Sequence, residues 1–364
     1  MFTISLCMIV KDEEQVLARC LESAKPIADE IIVVDTGSTD GTRQIARRYA
    51  DKTADFSWRD DFAAARNYAF SLATKEYCMW LDADDVLLPQ DAAQLLALKQ
   101  SPGPHPDVFM LPYHTAFDET GRPVFTYYRE RLLRNHMGFL WEGAVHEAIA
   151  PRGWVEYLPI AVTHRKEKPA EPGRNLRILE KLIEQGQRLD PRLQFYYARE
   201  LYDHGQYRKA QEEFCSFLHS GQGWVENNIE ACRQLGACRL ALGDTPGALG
   251  ALFFSFTYDE PRAEVCCDVG NLFFEQAQYG RAAYWYRAAL RAPRKDNTGA
   301  FVQEDCHGYL PCLQLCVCYY QLGDLRRSRR MNERAARYKD SEACRYNRRF
   351  FASLAQSTAA AAPQ

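Results

Sequence analysis

Positive charge is not in surplus in this chain: 45 lysines and arginines stand against 48 aspartates and glutamates, a net charge of −3. That balance gives no basic footprint of the kind a nucleic-acid-binding domain carries, so no nucleic-acid partner is expected. Long apolar runs are also missing. No stretch approaches the roughly 18 residues that a spanning helix needs, and no membrane span is expected. The opening residues, Met1-Phe2-Thr3-Ile4-Ser5-Leu6, have neither a basic leader nor a small-residue cleavage site, and read as a first strand instead of a signal peptide. No glycine-rich basic loop follows that strand, as a sugar nucleotidyltransferase would require. Cysteine is not scarce, at 13 residues. The number is odd, and a reducing, cytoplasmic setting with free thiols is the expectation.

What is present has a clear rhythm. Thr3 to Val10 is rich in Ile, Leu, Met and Val, and Val16, Leu17, Cys20 and Leu21 then recur at helical spacing. Glu30 to Asp35 is a second strand. The turn Thr36 to Thr42 follows, with Ser38 or Thr39 expected to cap a helix reaching about Ala50. A helix over Ala63 to Ala73, a strand over Glu76 to Leu81 and a helix from Pro89 continue the alternation. Three further strands are expected over Asp107 to Ala116, Val124 to Arg134 and Trp154 to Thr163. This βαβαβ pattern argues for an α/β domain with a mostly parallel sheet.

The chemistry concentrates where the strand Cys78-Met79-Trp80-Leu81 runs into Asp82-Ala83-Asp84-Asp85. Carboxylates beside an apolar interior are costly unless paired, and a hard divalent cation pairs with them well. Two other strands end in acids, at Lys11-Asp12-Glu13 and at Asp35. In one βαβαβ unit all three ends share a rim, and open α/β sheets bind ligands outside the carboxyl ends of their strands. Magnesium or manganese is usually held by one or two carboxylates plus the substrate's own phosphates. Asp35 and Glu13 could supply acceptors for a base and ribose, and Arg66 a positive fork near a diphosphate. Asp35-Thr36-Gly37-Ser38 is also the tetrapeptide of aspartic proteases, but that mechanism needs two such aspartates and one copy is present. A haloacid-dehalogenase nucleophile would lie after the first strand, which Asp82 does not.

Four segments carry a resemblance: Ile9-Val10-Lys11-Asp12-Glu13-Glu14, Val34-Asp35-Thr36-Gly37-Ser38-Thr39-Asp40, Ala65-Arg66-Asn67 and Trp80-Leu81-Asp82-Ala83-Asp84-Asp85. In order and spacing they resemble the motifs of family 2 glycosyltransferases with the GT-A fold. One departure is Asp12, where this subgroup commonly has Asn. The resemblance implies inverting transfer of a sugar from a nucleotide diphosphate-sugar, expected to be UDP-linked, with Mn2+ or Mg2+ as cofactor. It implies a nucleotide cradle at Val10, Lys11, Glu13, Asp35, Arg66, Asp82 and Ala83, and metal ligands at Asp82, Asp84 and His164. His164 closes a late apolar strand, and a neutral imidazole is a plausible third ligand to manganese. Arg165, Lys166 and Lys168 beside it are either a counter-charge for the departing diphosphate or a solvated face. Arg131-Leu132-Leu133-Arg134 and Trp141-Glu142-Gly143-Ala144-Val145-His146-Glu147 resemble a further pattern of the subgroup. An inverting transfer needs a base for the acceptor's proton, and Glu147 and His146 are the candidates, with Glu142 behind them. The stretch Tyr113 to Phe125 is expected to line the sugar pocket.

Beyond Pro172 the pattern is helical and repetitive. Small residues at Ala210, Ala248, Ala282 and Ser328 recur at intervals of 38, 34 and 46. The interval of 34 is the tetratricopeptide length, and the longer ones imply inserted loops. Leu235-Gly236, Val269-Gly270 and Leu315-Cys316 precede those anchors at a constant interval. The expected layout is a GT-A domain over 1–170, a linking helix over 171–190, repeats over 191–355 and a disordered tail over 356–364. A repeat groove suits a peptide, protein or glycan acceptor or a homodimer contact, and some tetratricopeptide-bearing family 2 transferases glycosylate peptide cysteines. The alternative is a tetratricopeptide adaptor carrying an inactive transferase domain. The cysteines of this region fall at small-residue positions and read as buried thiols, and Arg326-Arg327-Ser328-Arg329-Arg330 as a solvated face.

Overall fold

The structure is a computed structural model that describes residues 1–119, 121–167, 171–295 and 299–360. Lys168 and the end of the tail, residues 361–364, lie outside the described residues. Two compact units divide the chain, Met1–Glu200 and Leu201–Gln364.

The first unit opens with β1 (Ile4–Val10), α1 (Leu17–Ala24), β2 (Glu30–Asp35), α2 (Thr42–Tyr49), β3 (Lys52–Asp55), α3 (Phe62–Ser71) and β4 (Tyr77–Trp80). Then come β5 (Asp85–Val86), α4 (Pro89–Gln100), β6 (Val108–Phe117) and β7 (Pro123–Arg134). It continues with β8 (Trp141–Glu142), β9 (Ala148–Ile149), β10 (Val155–Tyr157), β11 (Val162–His164) and α5 (Arg174–Glu184). The first part of α6 (Pro191–Asp203) completes it. The strand order is β3-β2-β1-β4-β7-β6-β11-β5, and β10 adds to β6. The left half is parallel: β1 pairs with β2 and β4, and β2 with β3. The β7 strand then inserts antiparallel between β4 and β6. Strands β1 and β2 are buried along nearly their whole length, which explains their continuous apolar runs.

Three local differences have physical reasons. The β3 strand has no apolar alternation because it is an exposed edge, Lys-Thr-Ala-Asp. Helix α2 is not capped by Ser38 or Thr39: the N-cap is Gly41, and the Thr42 N–H donates to Asp40 Oδ1 at 2.9 Å. Ser38 and Thr39 are used elsewhere, against Asp12. The expected strand 154–163 is two strands, since Pro159 separates β10 from β11. The first unit also runs past 170. Ile178 and Leu179 of α5 share a core with Val145 and Leu193, so the expected linking helix packs on the α/β unit.

Glu30 anchors the start of β2. Its carboxylate accepts from Ser5 Oγ at 2.5 Å, from the Thr74 N–H at 2.9 Å and from Thr74 Oγ1 at 3.0 Å, and pairs with Lys52 at 3.1 Å. Burial alone would raise its pKa, but these donors outweigh burial and hold it at about 2. A depressed folded pKa gives stability that is present above the unfolded value of about 4.3 and is lost as pH falls from there. Glu30→Gln is therefore expected to lower stability at neutral pH by about 1–3 kcal/mol and to flatten the acid limb below about pH 4.3. Urea unfolding across the acid range measures both.

The second unit is built from helix pairs: α7 (Tyr207–Ser220), α8 (Val225–Ala241) with α9 (Thr245–Phe254), α10 (Ala263–Glu275) with α11 (Tyr279–Ala289), and α12 (Tyr309–Gln321) with α13 (Leu325–Tyr338). A last helix, α14, spans Glu342–Ala360. The anchors Ala210, Ala248, Ala282 and Ser328 are all fully buried. They are small because the paired helices cross closely: a methyl on Gly270 would lie 2.8 Å from the Tyr286 ring, and one on Gly236 3.3 Å from Leu252. The longest interval is explained by the segment 290–308 inserted between α11 and α12.

The turns α6–α7, α8–α9, α10–α11 and α12–α13 repeat one geometry. The N–H of Gly205, Gly243, Ala277 and Gly323 bonds back to the carbonyl of Tyr202, Leu240, Phe274 and Tyr320, and the following N–H reaches one residue further. This is the Schellman closure, which needs a left-handed residue. Ala277, at φ 56°, is the position without glycine. Ala277→Gly is expected to gain about 0.5–1 kcal/mol by removing left-handed strain. A rise of about 2 °C in melting temperature would register it.

Candidate active site

The site forms where the chain leaves β4 and enters β5, which pairs with β11. Asp85 is its buried centre, fully inaccessible, and three donors and the His164 imidazole converge on it. Its Oδ2 accepts from Arg131 Nη1 at 2.9 Å and from the backbone N–H of Asp82 at 3.0 Å. Its Oδ1 accepts from the Tyr113 hydroxyl at 2.8 Å and lies 3.3 Å from His164 Nδ1. Asp85 therefore ties the Asp82–Asp84 loop to β11. Arg131 lies between aromatic faces, 3.7 Å from the Trp80 centroid and 4.3 Å from that of Tyr113. Tyr113, the first residue of the stretch expected to line a sugar pocket, turns its hydroxyl to this network.

Asp84 and His164, both part-buried, adjoin that anchor, and His164 Nδ1 also lies 2.9 Å from the Tyr113 hydroxyl. Asp84 Oδ1 is 3.4 Å from His164 Nδ1. Among the described residues, Asp84, Asp85 and His164 are the acidic and histidine side chains that bring a ligand atom each within 4.8 Å of one another. Burial raises the Asp84 pKa above its ordinary value; His164 opposes this, while the nearby Asp82 and Asp85 charges add to it. Burial lowers that of His164, but the Asp85 hydrogen bond and the three carboxylates outweigh it and raise the pKa. The donors, carboxylate oxygen and imidazole nitrogen, suit Mn2+ or Mg2+.

Asp82 is tied differently. Arg66, buried on α3, donates from Nη2 to Asp82 Oδ1 and from Nε to Glu147 Oε1, both at 2.6 Å. Its guanidinium lies 5.0 Å from the Trp80 ring and 4.9 Å from that of Trp141. Burial would lower the Arg66 pKa, but the two carboxylates outweigh it and raise it. Burial would raise the Asp82 pKa, but Arg66 and Arg131 hold it down at about 2. Arg66 thus bridges two carboxylates. Arg129 adds a third guanidinium over Trp80, at 4.7 Å, and pairs with Glu130 at 2.9 Å.

The His146-Glu147 pair is split. Glu147 points to Arg66. His146 has a left-handed backbone, φ 51°, stacks on Tyr196 with ring centroids 4.0 Å apart and places Nε2 2.8 Å from Glu200 Oε1. Glu142 is exposed on β8. At the opposite end of the rim, Asp35 is buried and its Oδ2 accepts from the N–H groups of Gly37 and Ser38, each at 3.0 Å, and from Arg43 Nε at 2.8 Å. Burial would raise its pKa, and these donors lower it. Val10 is buried beside it, its carbonyl bonded by the Thr36 N–H at 2.9 Å, while Lys11 is exposed. The Glu13 N–H donates to Thr42 Oγ1 at 2.7 Å, and Ala83 is buried between the paired aspartates. Asp12, at φ 53°, accepts from the Thr39 N–H at 2.7 Å through Oδ1, and its own N–H donates to Ser38 Oγ. One carboxylate oxygen there does what an asparagine carbonyl does. The parts of Asp85 and of the Tyr113 hydroxyl emerge only from the structure. The role of Asp85 rests on its pairing with Arg131 on β7, which no local pattern marks.

A mostly parallel α/β sheet with carboxylates gathered at its strand ends, followed by stacked helix pairs, defines a GT-A domain joined to a tetratricopeptide array. Residues 5–148 match the family described as Glycosyl transferase family 2, and the chain carries a glycosyltransferase domain of that family. It is 38% identical over 150 residues to a TPR repeat-containing protein of Synechococcus elongatus, covering 41% of this chain and 36% of that one. It is 28% identical over 218 residues to the SPbeta prophage-derived glycosyltransferase SunS of Bacillus subtilis, covering 55% of this chain and 49% of the relative. The chain thus spans about a third to a half of the length of these relatives. A crystal structure of S. aureus TarS 1-349 aligns over 93% of this chain and 91% of that one, at 13% identity and a TM-score of 0.37. Among the described residues no helix is long and apolar enough to cross a membrane. All 13 cysteines are free, and all but Cys215 are buried.

Proposed function

We propose that this protein transfers a sugar, with inversion, from a UDP-linked donor to a peptide or protein acceptor, using Mn2+ or Mg2+. The observation that carries the reading is the placement of Asp84 and His164 on a network anchored by the buried Asp85, with Asp82 and Glu147 held on one arginine beside them. Asp84 and His164 would hold the ion. The bound ion would neutralise the diphosphate and ease departure of the nucleotide. Val10, Lys11, Glu13, Asp35 and Ala83 line the nucleoside side, Asp35 by fixing the turn over which the base lies. Glu147 takes the proton from the acceptor as it attacks the anomeric carbon. Arg66 sets the position of Glu147 and so ties the base to the donor side. His146, turned away and stacked, supports the Glu147 loop. The acceptor class rests on the repeat unit, since stacked helix pairs commonly present an extended binding surface.

The test is a panel of nucleotide sugars incubated with the full chain and Mn2+, reading nucleotide release. Release from a UDP-sugar that stops with EDTA and returns with added Mn2+ is the expected result. Release unaffected by EDTA would contradict the metal mechanism.

A further inference from the structure

The last helical hairpin carries a charge that the transferase reading does not use. Between Asp324 and Arg349 there are ten basic and four acidic residues, a net +6 in a chain whose net charge is −3, which leaves −9 for the remainder. Nine of the ten are arginines, and all nine are exposed. On α13, Arg326, Arg330, Arg334 and Arg337 recur at i, i+4, i+8 and i+11 and so lie along one face. None of the four has an ion-pair partner among the described residues, whereas Arg327 pairs with Asp324 and Arg348 with Glu333. Glu333, the one acid within α13, is therefore turned to α14.

This arrangement is unfavourable for the isolated helix. Like charges at i, i+4 repel, and the first turn of a helix disfavours cations because the macrodipole is positive there. Arg326 and Arg327 occupy that first turn, which contains no acid. A helix so composed is stabilised by an external anion. The ends of the stripe carry the exposed Leu325 and Tyr338, with Tyr346 exposed on α14. Arginines flanked by exposed leucine and tyrosine match the interface of an anionic bilayer, where headgroup phosphates meet the guanidinium fork and the apolar side chains enter the headgroup layer. We infer that the α13–α14 hairpin is a peripheral docking surface for an anionic lipid membrane, read from Arg326, Arg330, Arg334 and Arg337.

The experiment is co-sedimentation of the full chain with phosphatidylcholine vesicles, with and without phosphatidylglycerol. The expected result is binding to the anionic vesicles alone, falling steeply as salt rises through the range where the Debye length shortens. Replacing the four arginines with glutamine is expected to reduce that binding by about a hundred-fold or more at low salt, and replacing them with lysine to retain most of it. Circular dichroism establishes that each variant is folded, and the wild-type salt dependence stands if the glutamine variant is not. Equal binding to neutral vesicles, or anionic binding that neither salt nor the glutamine variant weakens, would overturn the inference. So would tighter binding to a single-stranded oligonucleotide, or a salt-sensitive dimer that forms in place of vesicle binding.

Discussion

Asp84→Asn is expected to lower nucleotide-sugar turnover by about a thousand-fold or more, because a metal-stabilised diphosphate contributes several kcal/mol to the transition state. The same variant should lose metal-dependent binding of the nucleoside diphosphate. It should not lose its fold. Asp84 is partly buried beside Asp82 and Asp85, and those charges with burial raise its pKa. Removing its charge relieves that repulsion, so the melting temperature is expected to stay or rise slightly, as at many functional sites. A matched fall in activity and in melting temperature would point to a structural role for Asp84 instead. The controlling comparison is Asp85→Asn. That change breaks a fully buried pair with Arg131 and is expected to destabilise by about 3–5 kcal/mol.

Glu147→Gln is expected to reduce kcat by about 100- to 10,000-fold, the usual range for loss of a general base. Its side chain bonds to Arg66 at 2.6 Å, and glutamine keeps an oxygen for that contact. Donor and metal binding should therefore be nearly unchanged, and the loss should fall on transfer. Equal loss of nucleotide binding would mean that Glu147 acts through Arg66 and Asp82, and that another group takes the proton. His146→Ala gives the contrast. It removes a stack on Tyr196 and a contact to Glu200, so a stability loss with a smaller kinetic effect is expected.

The strand ends were legible in the sequence because buried parallel strands are written as continuous apolar runs, and a carboxylate closing such a run stands out. Thus β1, β2 and β4 and their acids fell close to their expected places. The repeat anchors were legible for a related reason: close helix crossings tolerate only small residues, so Ala248, Ala282 and Ser328 are constrained in type and spacing. The β3 strand was not legible, since an exposed edge needs no apolar pattern. Nor was the split between His146 and Glu147. Adjacent residues point in different directions once His146 adopts a left-handed backbone, and nothing in the local sequence marks that. The part played by Asp85 depends on Arg131 and Tyr113, which reach it from β7 and β6, and long-range pairing of that kind leaves no periodic trace. The late basic run, read as a solvated face, shows its lack of counter-charges only once α13 and α14 are placed side by side.

The central claim is that the N-terminal unit binds a nucleoside diphosphate through a divalent ion held by Asp84 and His164. Isothermal titration calorimetry of the full chain with UDP, in the presence and absence of Mn2+, tests it most directly. The account predicts a binding heat that requires Mn2+, disappears with EDTA and is absent in Asp84→Asn. No heat with Mn2+ present, or an equal heat without it, would contradict the account, and the first of these would leave the adaptor with an inactive transferase domain as the better description.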